Sequence, residues 1–88
     1  MNPKNVIRNF VATTFLFGDA SQLRDDTSFL ESGIIDSTGI LELVMFLEGT
    51  FAIKVAQEEM LPENLDSINN IERFLTQKTA SSKLSQAA

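Results

Sequence analysis

The sequence predicts an all-α fold, a small four-helix bundle with three principal helices, one short helix and a long first loop. Apolar residues recur in three segments at the three- and four-residue spacing of amphipathic helices. Residues 51–55 alternate weakly between apolar and polar, but no second strand accompanies them, so they are interpreted as an extended linker. With 88 residues, 43% hydrophobic and 22% charged, the chain suits one globular domain.

The first helix is predicted over roughly residues 3–17. Asn2 is a favourable N-cap. Pro3 suits the first helical position, because an N–H at that position would have no intrahelical partner and its absence costs no hydrogen bond. Gly18 is expected to end the helix. Helical spacing predicts an apolar stripe of Val6, Ile7, Phe10, Val11, Thr14 and Phe17.

Residues 19–36 form a long connection rich in Asp, Ser and Thr. Connections of this length are uncommon in small domains unless they serve a function. The segment is predicted to be pinned to the core, since it carries Leu23, Phe29, Leu30, Ile34 and Ile35.

The second helix is predicted from Ser37 to about Thr50. Its core stripe consists of Leu43, Val44, Leu47 and Phe51. Further apolar surface comes from Ile40, Leu41, Met45 and Phe46, bordered by Glu42 and Glu48. This surface is either a docking face or the side of a central helix that packs against several neighbours.

The rest of the chain predicts two more helices. Residues 57–61 form a short helix stopped by Pro62, and Asp66-Ser67 cap the last helix. The apolar stripe of that last helix is Ile68, Ile71, Phe74 and Leu75. The domain is therefore expected to span residues 1–78, followed by a flexible C-terminal tail over residues 79–88.

Composition argues against an autonomous enzyme. The chain has no Cys and no His, so it lacks a thiol nucleophile, an imidazole base and the usual zinc ligands. No Gly-rich phosphate loop occurs, and a calcium loop starting at Asp25 fails because Phe29 stands where an oxygen ligand is required. No catalytic residue and no metal are expected. Without a long apolar run or a signal-like start, the expectation is a cytoplasmic protein with no membrane span.

Charge is concentrated in the middle of the chain. Residues 31–66 contain eight acidic residues and Lys54 as the only basic one. Nucleic acid is disfavoured because its binding requires clustered cations. The acids either serve solubility or face a basic protein partner, and their concentration around one helix start favours the partner.

Asp36-Ser37 is the most informative pair of residues, because it stands where the loop meets the apolar second helix. The simplest interpretation is that Ser37 is an N-cap, since Ser and Asp are favoured at helix starts. A helix start also favours a phosphate, since its N–H groups lack intrahelical partners.

With these features the chain resembles a free-standing acyl carrier protein, and also the peptidyl and aminoacyl carrier domains of assembly-line synthases. The resemblance covers about residues 3–78. Its most specific parts are residues 29–37 (Phe-Leu-Glu-Ser-Gly-Ile-Ile-Asp-Ser), residues 43–48 and Phe51. Asp36-Ser37 match the first two positions of the family motif Asp-Ser-Leu, whereas Thr38 departs from the third.

The resemblance implies that Ser37 is the covalent attachment point of 4′-phosphopantetheine from coenzyme A, with Asp36 as the flanking motif residue. It implies a monomer that meets a phosphopantetheinyl transferase, an acyl- or aminoacyl-activating ligase and acyl-processing enzymes with basic docking patches. The partner-binding residues it implies are Thr38, Leu41, Glu42, Met45 and Glu48. The missing cysteine fits, because the arm would supply the thiol.

Two departures from the family favour a carrier in a specialised biosynthetic pathway. Thr38 replaces the usual Leu, and Gly39 stands where fatty-acid carriers usually have an acidic residue. The alternatives are a primary fatty-acid carrier and an unmodified helical adaptor that binds through Ile40, Met45 and Phe46. Seven Phe predict a tight interior without a ready tunnel, and hence short or polar cargo.

Overall fold

The computed structural model describes the backbone of residues 2–87 and the side chains of residues 2–79. Its helices are α1 (Pro3–Phe15), α2 (Ser37–Phe51), α3 (Pro62–Leu65) and α4 (Ile68–Ala87), with a 3₁₀ turn at Gln57–Glu59. No strand occurs within this described part, and the segment between α2 and the 3₁₀ turn is extended. The predicted all-α bundle is confirmed.

α1 begins as predicted but ends two residues early. The Asn2 side chain accepts a hydrogen bond from the Lys4 N–H at 2.9 Å, with Pro3 as the first helical residue. The Ala12 carbonyl then accepts from the N–H groups of Leu16 and Gly18, which closes the helix before Phe17. The placement of Phe17 in the core stripe was therefore wrong, because its side chain is fully exposed.

α1 and α2 run antiparallel along a column of phenylalanine rings. Phe10 stacks on Phe46 with 4.0 Å between ring centroids, and Phe15 meets Phe10 edge-on at 6.0 Å. A Cβ built on Gly39 would stand 2.9 Å from the Phe15 ring. The end of α1 thus lies beside the start of α2.

One hydrophobic core joins all four helices and the first loop. The predicted α2 stripe is confirmed, with Leu43, Val44 and Leu47 buried and Phe51 half-buried against the core. The buried hydrophobic residues that this core cluster contains outside α2 are Ile7, Val11, Leu23, Phe29, Ile35, Val55, Leu65, Ile68, Ile71, Phe74 and Leu75.

The long first loop is pinned to the helices, as predicted. Arg8 of α1 donates one hydrogen bond to the Leu23 carbonyl at 2.9 Å and another to the Asp25 carboxylate. The Asp25 carbonyl accepts from the Asn69 N–H of α4 at 2.9 Å. These bonds fix the loop between α1 and α4 and so determine where the chain enters α2.

The short helices differ from the predicted arrangement. The short helix predicted over residues 57–61 is only a 3₁₀ turn at Gln57–Glu59, and Pro62 begins α3 instead of stopping a helix. Proline suits this place because the first turn of a helix needs no N–H from it. Ser67, not the pair Asp66-Ser67, caps α4, and its hydroxyl accepts from the Asn70 N–H at 3.1 Å.

α4 is longer than the sequence pattern predicts. Its backbone stays helical to Ala87, where a flexible tail was expected from Thr79. The Thr79 hydroxyl donates to the Leu75 carbonyl one turn earlier at 2.8 Å, so the helix does not fray at this position. The domain boundary after residue 78 stays a prediction.

Candidate functional site

The start of α2 is organised by Asp36. The Asp36 side chain accepts a hydrogen bond from the Gly39 N–H at 2.7 Å, and its carbonyl accepts from the Ile40 N–H at 3.0 Å. Asp36 is therefore the N-cap, and the interpretation of Ser37 as the cap was wrong. Ser37 is the first residue of the helix, and its side chain is exposed.

Because Asp36 caps α2, the Ser37 hydroxyl is not needed to cap the helix. Among the described residues, none donates a hydrogen bond to this hydroxyl or accepts one from it. The N–H groups of Ser37 and Thr38 precede the first intrahelical bonds of α2, and neither has a hydrogen-bond partner within the described part of the chain. A hydroxyl beside free N–H groups at the positive end of a helix is well placed to hold a phosphate ester.

An apolar groove of about 300 Å³ opens beside Ser37. Sequence reasoning did not predict it, because its walls come from three separate segments of the chain. Those walls are formed by Leu30, Ser37, Ile40, Leu41, Met60, Leu61, Pro62, Leu65 and Asp66. Leu30, Leu41 and Leu61 are large apolar residues that remain exposed here. The groove is half-open to solvent, so it is a surface channel and not an interior tunnel.

Asp66 holds one wall of this groove in place. Its carboxylate accepts hydrogen bonds from the Leu30 N–H at 2.9 Å and from the Ser28 hydroxyl, and its carbonyl accepts from the Phe29 N–H at 2.8 Å. The α3–α4 junction is thereby tied to the loop that leads into Ser37. This role was missed because the partners lie more than thirty positions away in sequence.

The five residues expected at a partner surface differ in their exposure to solvent. Thr38, Leu41, Glu42 and Met45 are exposed on one side of α2, and Met45 is 71% exposed. Glu48 is only half-exposed, and its carboxylate accepts from the Val55 N–H at 2.9 Å. Glu48 thus has a structural bond that Glu42 lacks.

The wider apolar surface of α2 splits into two parts. Leu41 and Met45 face solvent, whereas Ile40 and Phe46 are half-buried against the core. The packing interpretation is confirmed for Ile40 and Phe46, and the docking face stays a prediction for Leu41 and Met45. No helix in the described range is long and apolar enough to cross a membrane.

Comparison with known proteins shows the family. No family model matches the chain. The probable acyl carrier protein PigG of Serratia sp. (strain ATCC 39006) is 32% identical over 63 residues, which span 72% of this chain and 72% of PigG. The D-alanyl carrier protein of Streptococcus suis (strain 05ZYH33) is 34% identical over 71 residues, 81% of this chain and 87% of that protein.

A solved structure agrees in fold. A chain from a crystal structure described as an FAD-dependent dehydrogenase superposes with a TM-score of 0.69 at 26% identity, covering 77% of this chain and 96% of that one. The relatives at the sequence level are carriers and not catalysts. The present chain belongs to the acyl carrier protein family and is a carrier protein, not an enzyme.

Proposed function

We propose that this protein carries acyl or aminoacyl groups as thioesters on a 4′-phosphopantetheine arm attached to Ser37. The observation that carries the proposal is the state of the Ser37 side chain. It is exposed, it has no hydrogen-bond partner among the described residues, and it stands at the first position of α2 beside an apolar groove.

The donor set at this site fits a phosphodiester. Two N–H groups without a partner among the described residues, together with the positive end of a fifteen-residue helix, offset the negative charge of the ester. Asp36 satisfies the Gly39 N–H and stays clear of the Ser37 hydroxyl, so the helix keeps its cap after modification. When bound, the arm supplies a terminal thiol, which this chain otherwise lacks.

Modification is a group transfer to Ser37. The hydroxyl oxygen of Ser37 forms a bond to the phosphorus atom that bears the pantetheine of coenzyme A. The pyrophosphate bond at that phosphorus breaks and releases adenosine bisphosphate. The hydroxyl proton passes to a base on a separate transferase. This chain has no imidazole that could take the proton, so its part is to present the hydroxyl on a rigid helix start.

The groove gives the arm and a short cargo a surface to rest on. Leu30, Leu41 and Leu61 line it within the same cavity as Ser37. Its volume of about 300 Å³ is at the lower end of ligand sites, which supports short cargo over long saturated chains. Because the groove is open, a partner enzyme can withdraw the cargo without unfolding the bundle.

A specialised pathway is favoured over primary fatty-acid synthesis. PigG and a D-alanyl carrier protein are among the relatives, the exposed Thr38 changes the expected docking surface, and the buried Gly39 adds no acidic side chain to it. The partners we propose are a phosphopantetheinyl transferase, an activating ligase and acyl-processing enzymes with basic patches. The carrier itself would act in the cytoplasm as a monomer.

A flavin enzyme is a specific candidate among the processing partners. In the crystal structure described as an FAD-dependent dehydrogenase, the matched chain is aligned over 96% of its length with 77% of the present chain. The matched chain is therefore no longer than the present carrier protein. This supports testing whether a thioester-bound cargo of this protein is a substrate for such a dehydrogenase.

Intact mass spectrometry tests the proposal. The protein is incubated with coenzyme A and a broad-specificity phosphopantetheinyl transferase, and its mass should rise by one phosphopantetheinyl group. Ser37→Ala should show no gain, whereas the matched control Ser32→Ala, which changes an exposed serine in the loop that leads into α2, should be modified normally. Modification of Ser28, Ser32 or Ser67 in place of Ser37 would contradict the assignment.

A further inference from the structure

Phe17 differs from every other phenylalanine of the chain. Two of the seven phenylalanines are buried in the core, and four more pack against it: Phe10, Phe15, Phe46 and Phe51. The side chain of Phe17 is fully exposed. Single exposed apolar residues are common on protein surfaces, so exposure alone assigns no role to this ring.

The backbone of Phe17 is a second, independent observation. Its φ of 55° is left-handed, a conformation that bulky residues seldom adopt. Glycine is the usual residue where a helix ends in this conformation, and here Gly18 comes one position later. The fold thus holds an aromatic ring in solvent on a strained turn, and neither feature contributes to the core.

Phe17 lies at the same end of the bundle as Ser37. Two residues before it, Phe15 packs so closely on the start of α2 that a Cβ at position 39 would be 2.9 Å from its ring. Position 39 is only two residues after Ser37. A protein that covers the Ser37 hydroxyl is therefore within reach of the turn that presents Phe17.

The two chain segments that meet at this end carry acidic residues and no basic ones. Residues 9–23 contain Asp19 and no Lys or Arg, and residues 31–47 contain Glu31, Asp36 and Glu42 and no Lys or Arg. Asp19, Asp36 and Glu42 are exposed. A complementary surface must therefore offer an apolar pocket next to basic side chains.

We propose that Phe17 is an aromatic anchor for the phosphopantetheinyl transferase that modifies this carrier. The ring enters an apolar pocket of the transferase, and Lys or Arg residues around that pocket face Asp19, Asp36 and Glu42. This inference rests on the proposed function. The transferase is the occupant because it must bring its own active site to the Ser37 hydroxyl, which lies at the same end of the bundle as this turn.

The test replaces Phe17 without weakening the fold. Asparagine tolerates the left-handed conformation and removes the ring, so Phe17→Asn should leave the thermal midpoint unchanged or higher. Transferase kinetics are followed by intact mass with coenzyme A as the donor. The KM for the carrier should rise about fivefold or more, with kcat at saturating carrier unchanged.

Two further variants separate the ring from the backbone. Ala52→Asn changes the other left-handed non-glycine residue among those described. Ala52 lies at the opposite end of α2 from Ser37, about 20 Å along the helix, so this variant should leave the KM unchanged. Phe17→Leu keeps an apolar side chain and should give an intermediate KM.

Three outcomes would overturn the inference or its basis, and they are distinguishable. An equal KM for the wild type and Phe17→Asn would show that Phe17 does not anchor the transferase. A concentration-dependent dimer of the wild type that Phe17→Asn abolishes would identify a second copy as the occupant, again against the proposal. Absence of any modification in the wild type would refute the proposed function itself.

Discussion

Gly39 lies against Phe15 at the point where the end of α1 meets the start of α2. A Cβ at position 39 would be 2.9 Å from Cε1 of Phe15 and 2.8 Å from Cγ2 of Ile35. Real Cβ atoms essentially never approach other atoms so closely. Glycine at this position therefore has a packing reason, and the same contact explains why position 39 carries no acidic side chain.

The first prediction reverses the usual effect of replacing glycine in a helix. Gly39→Ala should lower the free energy of unfolding by about 1–3 kcal/mol, because overpacking outweighs the better helix propensity of alanine. Thermal unfolding should show a midpoint roughly 4 °C or more below that of the wild type. The matched control is Gly49→Ala in the same helix, where a Cβ meets nothing within 4 Å. Gly49→Ala should raise stability by about 0.5–1 kcal/mol. A stabilised Gly39→Ala would contradict the packing argument.

The second prediction concerns docking through the acidic face of α2. Glu42→Lys should lower the transferase kcat/KM about fivefold, since a rim charge contributes about 1 kcal/mol to association. The wild-type rate should fall with added salt, because exposed charges are screened. Rates independent of salt and unchanged by Glu42→Lys would leave apolar contacts alone to explain docking.

Glu48 needs a different variant for the same question. Glu48→Lys should slow modification as well, but it also removes the acceptor of the Val55 N–H, which costs about 1 kcal/mol of stability. Glu48→Gln keeps an oxygen acceptor and removes only the charge. Comparing the thermal midpoints of the two variants separates the structural bond from the docking charge.

The third prediction is a pH dependence that comes from Asp25. The hydrogen bond from Arg8, with the nearby charge of Lys4, holds the pKa of the Asp25 carboxyl below its ordinary value of 3.8. A lowered pKa in the folded state means that ionised Asp25 stabilises the protein above pH 3.8. This contribution is lost as the pH falls through the folded-state pKa, which lies below 3.8.

Asp25→Asn should therefore be less stable than the wild type near neutral pH, and the two should converge in strong acid. Chemical denaturation at a series of pH values measures the difference. Asp26→Asn is the matched control, because Asp26 is exposed and none of the described ion pairs includes it. A gap that persists unchanged into strong acid would exclude the charge of Asp25 as its cause.

The fourth prediction concerns cargo and the groove beside Ser37. A short apolar acyl group should settle against Leu41 and Leu61 and raise the thermal midpoint of the loaded protein above that of the holo protein. A medium fatty chain should bring no further rise, because the groove holds only about 300 Å³. The measurement is thermal unfolding of the holo, short-chain and medium-chain forms side by side. A larger rise for the medium chain, with protection of its thioester from hydrolysis, would show that the bundle opens to bury it.

Local sequence signals determined most of the helix starts and the core. Asn2-Pro3 and Asp36-Ser37 mark starts because caps and proline act on their own first turn, which needs no distant partner. The buried stripe of Leu43, Val44 and Leu47 follows from the helical period alone. Ser37 at a helix start was predictable for the same reason.

Tertiary structure alone decided what surrounds Ser37. Asp66 appears in the sequence as a cap for α4, yet its carboxylate holds Leu30 and Ser28 of the distant loop. The groove exists because that loop, α2 and the region around α3 converge, and a periodicity along one segment cannot describe such convergence. Phe17 fits the apolar period of α1 but lies outside the core, since the helix closes on the Ala12 carbonyl before reaching it. The spacing of apolar residues predicts which face of a helix a residue would occupy. Only the packing of the folded chain decides whether the helix extends as far as that residue.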